Sequence, residues 1–262
     1  MARPKLKLMR PRAKAKLKED VLSETSREEG VAGFAETFLR RFRNLSFVLL
    51  LSPLAVVCCA CLGIAAAPGI FVFRAMDHFT ASWPMIFHYA ALGFGFALGF
   101  LTYGLTLIFV VPLANFLMPF RVKPFRGPYY SLPAIPWFIH NGLTYMVRFT
   151  FLEFITPSPL NILFYRMMGM KIGKGVVINS SNISDPSLIT LGDYVTVGGS
   201  ATIFAHYGQR GYLVVAPVVI GKGTNIGLKA SVMGGAVIGE NVMIKPHTAI
   251  LPKTQIPDGE TV

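Results

Sequence analysis

Hydrophobic residues in the C-terminal third of the chain recur at every sixth position. The positions with this spacing, seven in succession, are Ile220, Ile226, Val232, Ile238, Ile244, Ile250 and Ile256. Neither the 3.6-residue period of a helix nor the two-residue period of a strand predicts it. A fixed period over many units indicates a repeat architecture. We therefore expect each hexapeptide to form a short strand and a turn, with one aliphatic side chain pointing inward and stacked coils burying columns of such side chains.

Two long apolar stretches precede the repeats. Residues 44–73 and 78–120 contain no Lys, Arg, Asp or Glu, over thirty and forty-three residues. About 20 apolar residues suffice for a helix to cross the hydrocarbon core of a bilayer, so each stretch predicts a transmembrane helix. They account for the high hydrophobic content of 53%. We expect a basic cytoplasmic tail with a short amphipathic helix at 1–44 and a two-helix membrane hairpin at 45–120.

The basic residues predict how this hairpin is oriented. Residues 1–44 carry twelve Lys and Arg, and three more follow the second span between positions 121 and 126, whereas the loop at 74–84 holds one arginine. Because basic residues stay on the cytoplasmic side, we expect a multi-pass protein of the inner (cytoplasmic) membrane with its repeat domain in the cytoplasm. The net charge of +12 is then explained by contact with anionic membrane lipid, and we expect no nucleic acid partner.

Residues 121–170 form the linker to the repeats. A proline-rich, aromatic segment is followed by an apolar stretch, Trp137–Ile155, interrupted by His140, Asn141, Arg148 and Glu153. A third span would bury two charges, so an interfacial helix with its polar positions facing headgroups or the repeat domain costs less. We favour the interfacial helix and keep the third span as the alternative.

The repeats themselves resemble a known family. Glycine follows the aliphatic residue in six repeats, at Gly173, Gly192, Gly198, Gly221, Gly227 and Gly239. Over residues 171–257 this aliphatic–glycine spacing resembles the hexapeptide-repeat acyltransferases. The resemblance implies a left-handed parallel β-helix that assembles as a homotrimer. The expected fold is therefore a membrane-anchored α plus all-β chain: the helical hairpin and interfacial helix, followed by the β-helix at 171–262, whose end we expect to be covered by trimer packing unless the chain continues.

The six-residue period breaks twice. Ile178 to Leu191 is thirteen residues, one more than two hexapeptides, and Ile203 to Ile220 is seventeen, one fewer than three. Extra or missing residues in a solenoid leave as loops or bulges, which often carry the working surface. His206 lies in the second break. In the family a histidine is the general base that takes a proton from an acceptor hydroxyl or amine as it attacks an acyl-CoA thioester, and the resemblance implies this role for His206.

The stretch DPSLITLGDYVTVGGSATIFAH is similar to a narrower group. It resembles membrane-linked transferase-like domains at the C-terminal end of amino-acid polymerases of the polylysine-synthetase type, in which an Asp-Pro pair precedes the strand and a histidine follows it, as Asp185-Pro186 and His206 do here. We assign acceptor binding to polar residues of the two breaks, namely Asp185, Asn182, Tyr207 and Gln209. His247 is a secondary candidate for the base.

The family binds acyl-CoA as a co-substrate in a groove between the β-helices of a trimer, with no permanently bound cofactor. The resemblance then implies that basic side chains meet the CoA phosphates. We assign this role to Lys222, Lys229 and Lys245, with Gly227 beside the pantetheine arm, and Lys253 is also available.

Other chemistries fit the sequence poorly. The cysteines, Cys58, Cys59 and Cys61, all lie in the first span, where they build neither a disulfide framework nor a zinc site. The repeats carry two histidines, forty-one residues apart, too few for a three-histidine metal centre. We expect no metal site. The sequence thus favours an acyl-CoA-dependent acyltransferase that moves an acyl group, expected to be acetyl, to a hydroxyl or amine of a lipid-linked, glycan or amphiphilic acceptor near the membrane. The alternative is a non-catalytic trimeric scaffold.

Overall fold

The computed structural model describes residues 23–26 and 28–262. Of the basic tail and amphipathic helix predicted for 1–44, residues 1–22 and 27 lie outside the described residues. The first half of the described chain is helical. Its helices are α1 (Gly30–Arg41), α2 (Arg43–Thr80), α3 (Met85–Leu117), α4 (Ala134–Val147), which runs into a π-helical turn (Arg148–Leu152), and α5 (Pro159–Met167). Strand β1 (Phe125–Pro128) lies between α3 and α4.

Helices α2 and α3 form an antiparallel hairpin, and glycines set their closest approach. A Cβ atom on Gly69 would lie 2.5 Å from the carbonyl oxygen of Gly99, and one on Gly99 would lie 2.9 Å from the oxygen of Gly69. No side chain fits at these distances, so the two backbones touch directly, as small residues allow between membrane helices. Both helices are long and apolar enough to span a membrane.

The second half of the chain is a coil of short parallel strands. The strands are β2 (Lys171–Ile172), β3 (Val177–Ile178), β4 (Ile183–Ser184), β5 (Ile189–Leu191), β6 (Thr196–Val197), β7 (Thr202–Phe204), β10 (Val218–Ile220), β11 (Asn225–Ile226), β12 (Ser231–Val232), β13 (Val237–Ile238), β14 (Met243–Ile244), β15 (Ala249–Ile250) and β16 (Gln255–Ile256). They stack into three sheets, which we call the first face (β2, β5, β10, β13, β16), the second face (β3, β6, β11, β14) and the third face (β4, β7, β12, β15).

The six-residue columns predicted from the sequence are the core of this β-helix. On the first face Leu191, Ile220, Ile238 and Ile256 are in register, and each is buried. Because every third strand returns to the same face, a six-residue repeat places equivalent side chains above one another. We name the bends by the faces they join: the first corner (first to second face), the second corner (second to third) and the third corner (third to first). The handedness of the coil stays a prediction.

The second break in the period is a β-hairpin that leaves the coil at the third corner. It consists of β8 (His206–Gln209) and β9 (Tyr212–Val215), and β9 also pairs antiparallel with β1. A hydrogen bond from the amide of Ala216 to the carbonyl of Ala205 (2.8 Å) closes its base. The linker therefore contributes a strand to the excursion, which holds it against the helical half.

Helix α4 lies between the apolar hairpin and the β-helix. A single hydrophobic core runs from Leu54 and Leu107 through Leu143 and Val147 to Ile183 and the coil interior. Three of the four polar residues that interrupt this apolar stretch face the repeats: Asn141 donates to Asp185, Arg148 donates to Asn182, and Glu153 accepts from Ser181. The fourth, His140, lies against Asn115 of α3. The helix starts three residues earlier than predicted.

Candidate functional site

The two breaks in the six-residue period meet at the third corner in consecutive coils. The first break contains Asp185, which follows β4, and a short 3₁₀ helix, Pro186–Leu188, that leads into β5. The second contains His206, which follows β7 at the base of the hairpin that leads back to β10. Since β4 pairs with β7 and β5 pairs with β10, the two irregular segments lie against each other.

Asp185 and His206 form a hydrogen-bonded pair at this corner. The imidazole Nδ1 lies 2.5 Å from Asp185 Oδ2. The Asp185 side chain is fully buried, whereas that of His206 is 22% exposed. Because a carboxylate accepts, Nδ1 carries the proton and Nε2 is the nitrogen that can exchange a proton with a substrate. This is the arrangement in which a carboxylate fixes the tautomer of a histidine base and stabilises the imidazolium that forms.

Helix α4 completes the surroundings of the pair. Asn141 Nδ2 donates to the second carboxylate oxygen, Asp185 Oδ1, at 2.7 Å. One turn earlier, the Trp137 ring meets the His206 ring edge-on, with centroids 5.0 Å apart. The Phe204 ring lies 5.5 Å from the same imidazole. The carboxylate is therefore bonded on both oxygens, and the imidazole is held between two aromatic rings.

Asp185, which we assigned to acceptor binding, has a buried side chain whose two carboxylate oxygens are engaged by Asn141 and His206. Asn182 lies at the second corner, where it accepts from Arg148. Tyr207 is buried in β8, and Gln209 is exposed near the hairpin turn. Among the four predicted acceptor-binding residues, only Tyr207 and Gln209 share the excursion with His206.

The predicted CoA residues occupy two other corners of the same chain. Lys222 lies at the first corner, and Gly227, Lys229 and Lys245 lie at the second. A Cβ on Gly227 would lie 2.5 Å from the amide nitrogen of Pro246, so this glycine serves the stacking of coils. His247 is exposed at the second corner and does not share the corner of His206.

Lys253 is the lysine of the third corner. It follows β15, and its amide donates to the carbonyl of Gly234 one coil earlier. Gly234 in turn lies against His206: a Cβ there would be 2.9 Å from the His206 amide nitrogen. The third corner thus carries, coil by coil, Asp185, His206, Gly234 and Lys253.

Sequence reasoning missed Asn141 as a member of the site. The available signal was its position as a polar interruption in an apolar helix, which predicted that it faces headgroups or the repeats. It is forty-four residues from Asp185, and only the docking of α4 on the coil brings the two together.

Comparison with known proteins places the chain among partial relatives. No known family profile matches it. Over 135 residues, which are 52% of this chain, it is 25% identical to the Delta-poly-L-ornithine synthetase of Acinetobacter baumannii. The chain spans only 10% of that relative's length. The similarity to an amino-acid polymer synthetase predicted from the sequence is therefore confirmed as a resemblance.

Solved structures of acetyltransferases are also similar. A maltose O-acetyltransferase from Clostridium difficile 630 is 17% identical, with 51% of this chain and 88% of that chain covered and a TM-score of 0.34. Serine acetyltransferase isoform 3 from Entamoeba histolytica is 17% identical, with 74% and 69% covered and a TM-score of 0.31. The serine acetyltransferase of Neisseria gonorrhoeae is 18% identical, with 51% and 56% covered and a TM-score of 0.30. TM-scores this low carry no argument about the chemistry of this chain.

The bond between Asn141 and Asp185 predicts coupled effects on stability. Asn141→Ala removes a buried donor from the carboxylate and should lower the free energy of unfolding by about 1–3 kcal/mol. In an Asp185→Asn background the same substitution should lower the free energy of unfolding by less, because the carboxylate charge that Asn141 bonds is gone. A double-mutant cycle by chemical denaturation should therefore give a coupling of about 0.5–3 kcal/mol. The control cycle pairs Asn141 with Asn182, which shares no hydrogen-bond partner with it among the described residues and should be additive. Additivity for Asn141 and Asp185 would contradict the contact.

Proposed function

We propose that the chain is a membrane-bound acyltransferase that moves an acyl group, acetyl being the simplest, from acyl-CoA to a hydroxyl or amine of a membrane-proximal acceptor. His206 is the general base, and Asp185 and Asn141 are positioning residues. The observation that carries the proposal is the buried Asp185 carboxylate bonded to Nδ1 of a partly exposed histidine.

The proposed reaction is a direct transfer. His206 Nε2 takes the proton of the acceptor hydroxyl or amine while the acceptor oxygen or nitrogen attacks the thioester carbonyl carbon. The tetrahedral intermediate then expels the CoA thiolate, and the imidazolium returns the proton to sulfur. Asp185 stabilises the imidazolium between these steps, and its bond to Asn141 prevents the carboxylate from turning away.

The acyl-CoA is proposed to run along the third corner. This corner carries His206 at one coil and Lys253 two coils further on. The side chain of Lys253 lies over Gly235, with its Cγ 3.0 Å from where a Cβ would be, and so points toward the preceding coil. An ammonium group there suits a CoA phosphate as a point charge. We retain the homotrimer and the left-handed coil as part of the proposal; Val219 and Val237, adjacent on the outside of the first face and half exposed, suit an interface between copies.

The membrane placement rests on which surfaces are apolar. In the most apolar 18-residue windows of α2 and α3, only 6% and 33% of the residues are buried. Exposed Phe, Leu and Ile side chains cover both helices. A soluble protein seldom exposes so large an apolar surface, whereas a bilayer buries it. With the basic residues flanking the hairpin, this supports two spans and a repeat domain on the cytoplasmic side of the inner membrane.

Substitution of His206 tests the chemistry. His206→Ala should lower kcat by roughly 100- to 10,000-fold, the usual effect of losing a general base. His206→Asn should do the same although it keeps hydrogen-bonding capacity, and KM for acyl-CoA should change little. The measurement is CoA thiol release from acetyl-CoA, with a lipid extract as the source of acceptor. His247→Ala is the control and should keep most activity.

The competing function is a non-catalytic trimeric scaffold. It predicts no thiol release and no stabilisation by CoA or acetyl-CoA in the wild-type protein. An inactive His247→Ala beside an active His206→Ala would instead show that the base lies at the second corner.

Two matched lysines test where CoA lies. At a concentration 100 times its Kd, acetyl-CoA should add about 2.7 kcal/mol to stability and raise the melting temperature of the detergent-solubilised protein. Lys253→Gln should reduce this rise. Lys229→Gln is the matched control because both lysines lie at a corner with a positive φ, 63° for Lys253 and 53° for Lys229. If Lys229→Gln reduces the rise and Lys253→Gln does not, CoA follows the second corner, as the sequence first suggested.

Labelling with an impermeant thiol reagent tests the topology. In a background with Cys58, Cys59 and Cys61 replaced, a cysteine at Ala81 in the loop between the spans should be labelled from outside the inner membrane. A cysteine at the exposed Glu240 should be protected until the membrane is opened. External labelling at Glu240 would place the repeat domain on the other side, away from cytosolic CoA.

A further inference from the structure

A polar pocket, separate from the corner that holds His206, lies where α3 ends and on a different side of α4. Its volume is about 180 Å³. The end of α3, the segment 118–122, α4 and the end of α5 surround it. Its polar lining residues are Asn115, Arg121, His140 and Ser187, and the other walls are mainly methionine, phenylalanine and isoleucine side chains.

His140 lines this pocket and carries an unused hydrogen-bond acceptor. The residue is 4% exposed, and its Nε2 is buried without a hydrogen-bond partner among the described residues. Its Nδ1 lies 3.2 Å from Asn115 Oδ1, an acceptor, so Nδ1 holds the ring proton. Burial lowers the pKa of His140 to about 4, and the negative charge of Asp185 opposes this shift only weakly. The ring is therefore neutral at pH 7. Nε2 is therefore a lone-pair acceptor that needs a donor.

Ser187 supplies a second unpaired group. Its Oγ is also buried without a partner in the described part of the chain. Buried polar groups are normally paired by protein or by a bound molecule. Two residues that line one pocket thus each carry an unpaired polar atom. A ligand hydroxyl would suit both, because it can donate to Nε2 and accept from a serine.

The charge of the lining restricts the head further. Arg121 donates to carbonyl oxygens at the end of α3, among them those of Phe116 (2.8 Å) and Phe120 (3.0 Å), which holds its positive charge at the pocket. No Asp or Glu lines the pocket among the described residues. This charge opposes an ammonium head and favours an anionic group next to the hydroxyl.

The apolar walls and the position favour an alkyl chain behind that head. The pocket opens at the C-terminal end of the second apolar helix, where Phe116 and Phe120 are exposed. In the membrane placement proposed above, this level is the boundary between hydrocarbon and headgroups, where aromatic side chains concentrate.

We propose that this pocket binds one membrane lipid whose head carries an anionic group and a free hydroxyl, the hydroxyl donating to His140 Nε2 and the anionic group meeting Arg121. The site rests on the membrane placement and not on acyl transfer, so a failed acyltransferase assay leaves it standing.

The test uses lipids that differ in the hydroxyl alone. Delipidated protein in neutral detergent, without acyl-CoA, is titrated calorimetrically with dioctanoyl phosphatidylglycerol and with dioctanoyl phosphatidylmethanol, which has the same charge and no free hydroxyl. The wild type should bind phosphatidylglycerol about tenfold more tightly, the effect of one buried hydrogen bond. Phosphatidylethanolamine with the same chains should bind more weakly still.

Variants locate the site. His140→Phe should remove the preference for phosphatidylglycerol, whereas His78→Phe, in the hairpin, should keep it. Met167→Trp places a larger side chain in the pocket lining and should weaken the binding of both anionic lipids, so the proposal stays testable if His140→Phe folds poorly. Equal affinities in the wild type, or affinities for both anionic lipids that Met167→Trp leaves unchanged, would overturn the proposal. Glycerol 3-phosphate binding as tightly as the lipid would show a soluble ligand and no place for the alkyl chain.

Discussion

The buried carboxylate of Asp185 joins the helical half of the chain to the repeats. A buried charge is costly unless it is bonded, and its two oxygens find partners on two separate elements, Asn141 on α4 and His206 at the hairpin base. Asp185 itself has a positive φ of 59°, a conformation that non-glycine residues adopt at a cost and that the surroundings must enforce. The position of α4, the exit of the hairpin and the orientation of the imidazole therefore depend on one another, because moving any of them breaks one of the two bonds to the carboxylate.

The regular part of the fold follows from the sequence because its information is local. A six-residue period specifies which side chain points inward whatever the rest of the chain does, so the columns of Ile220, Ile238 and Ile256 are readable from spacing alone. The breaks were equally visible, and they pointed to His206. The meeting of both breaks at one corner was not visible, because it depends on how the thirteen and seventeen residues divide between strand and excursion. The same holds for Asn141, whose partner is set by the docking of a helix.

Residue spacing also could not predict which of the four candidate lysines shares a corner with His206. All four follow an inward residue at similar offsets, so the sequence ranks none of them above the others. Strand pairing separates them by corner, and Lys253 alone shares the corner of His206 within one chain. In a β-helix the corner that a residue occupies depends on how many strands of the coil precede it. An excursion such as β8–β9 interrupts the six-residue count, so the corners of all later residues cannot be counted from spacing alone.

The Asp185–His206 pair and the pocket lined by His140 are built from the same two short segments of the chain. His140 and Asn141 are neighbours on α4, one facing the pocket and the other the carboxylate. Asp185 and Ser187 lie two residues apart on either side of the start of the 3₁₀ helix. Helix α4 also belongs to the continuous core that reaches the apolar hairpin, so the His206 site is packed directly onto the helical half of the chain. In the proposed function, a reaction at His206 would be restricted to acceptors whose reactive group reaches a fixed place beside α4. The position of that helix, and not the length of a linker, would then select them.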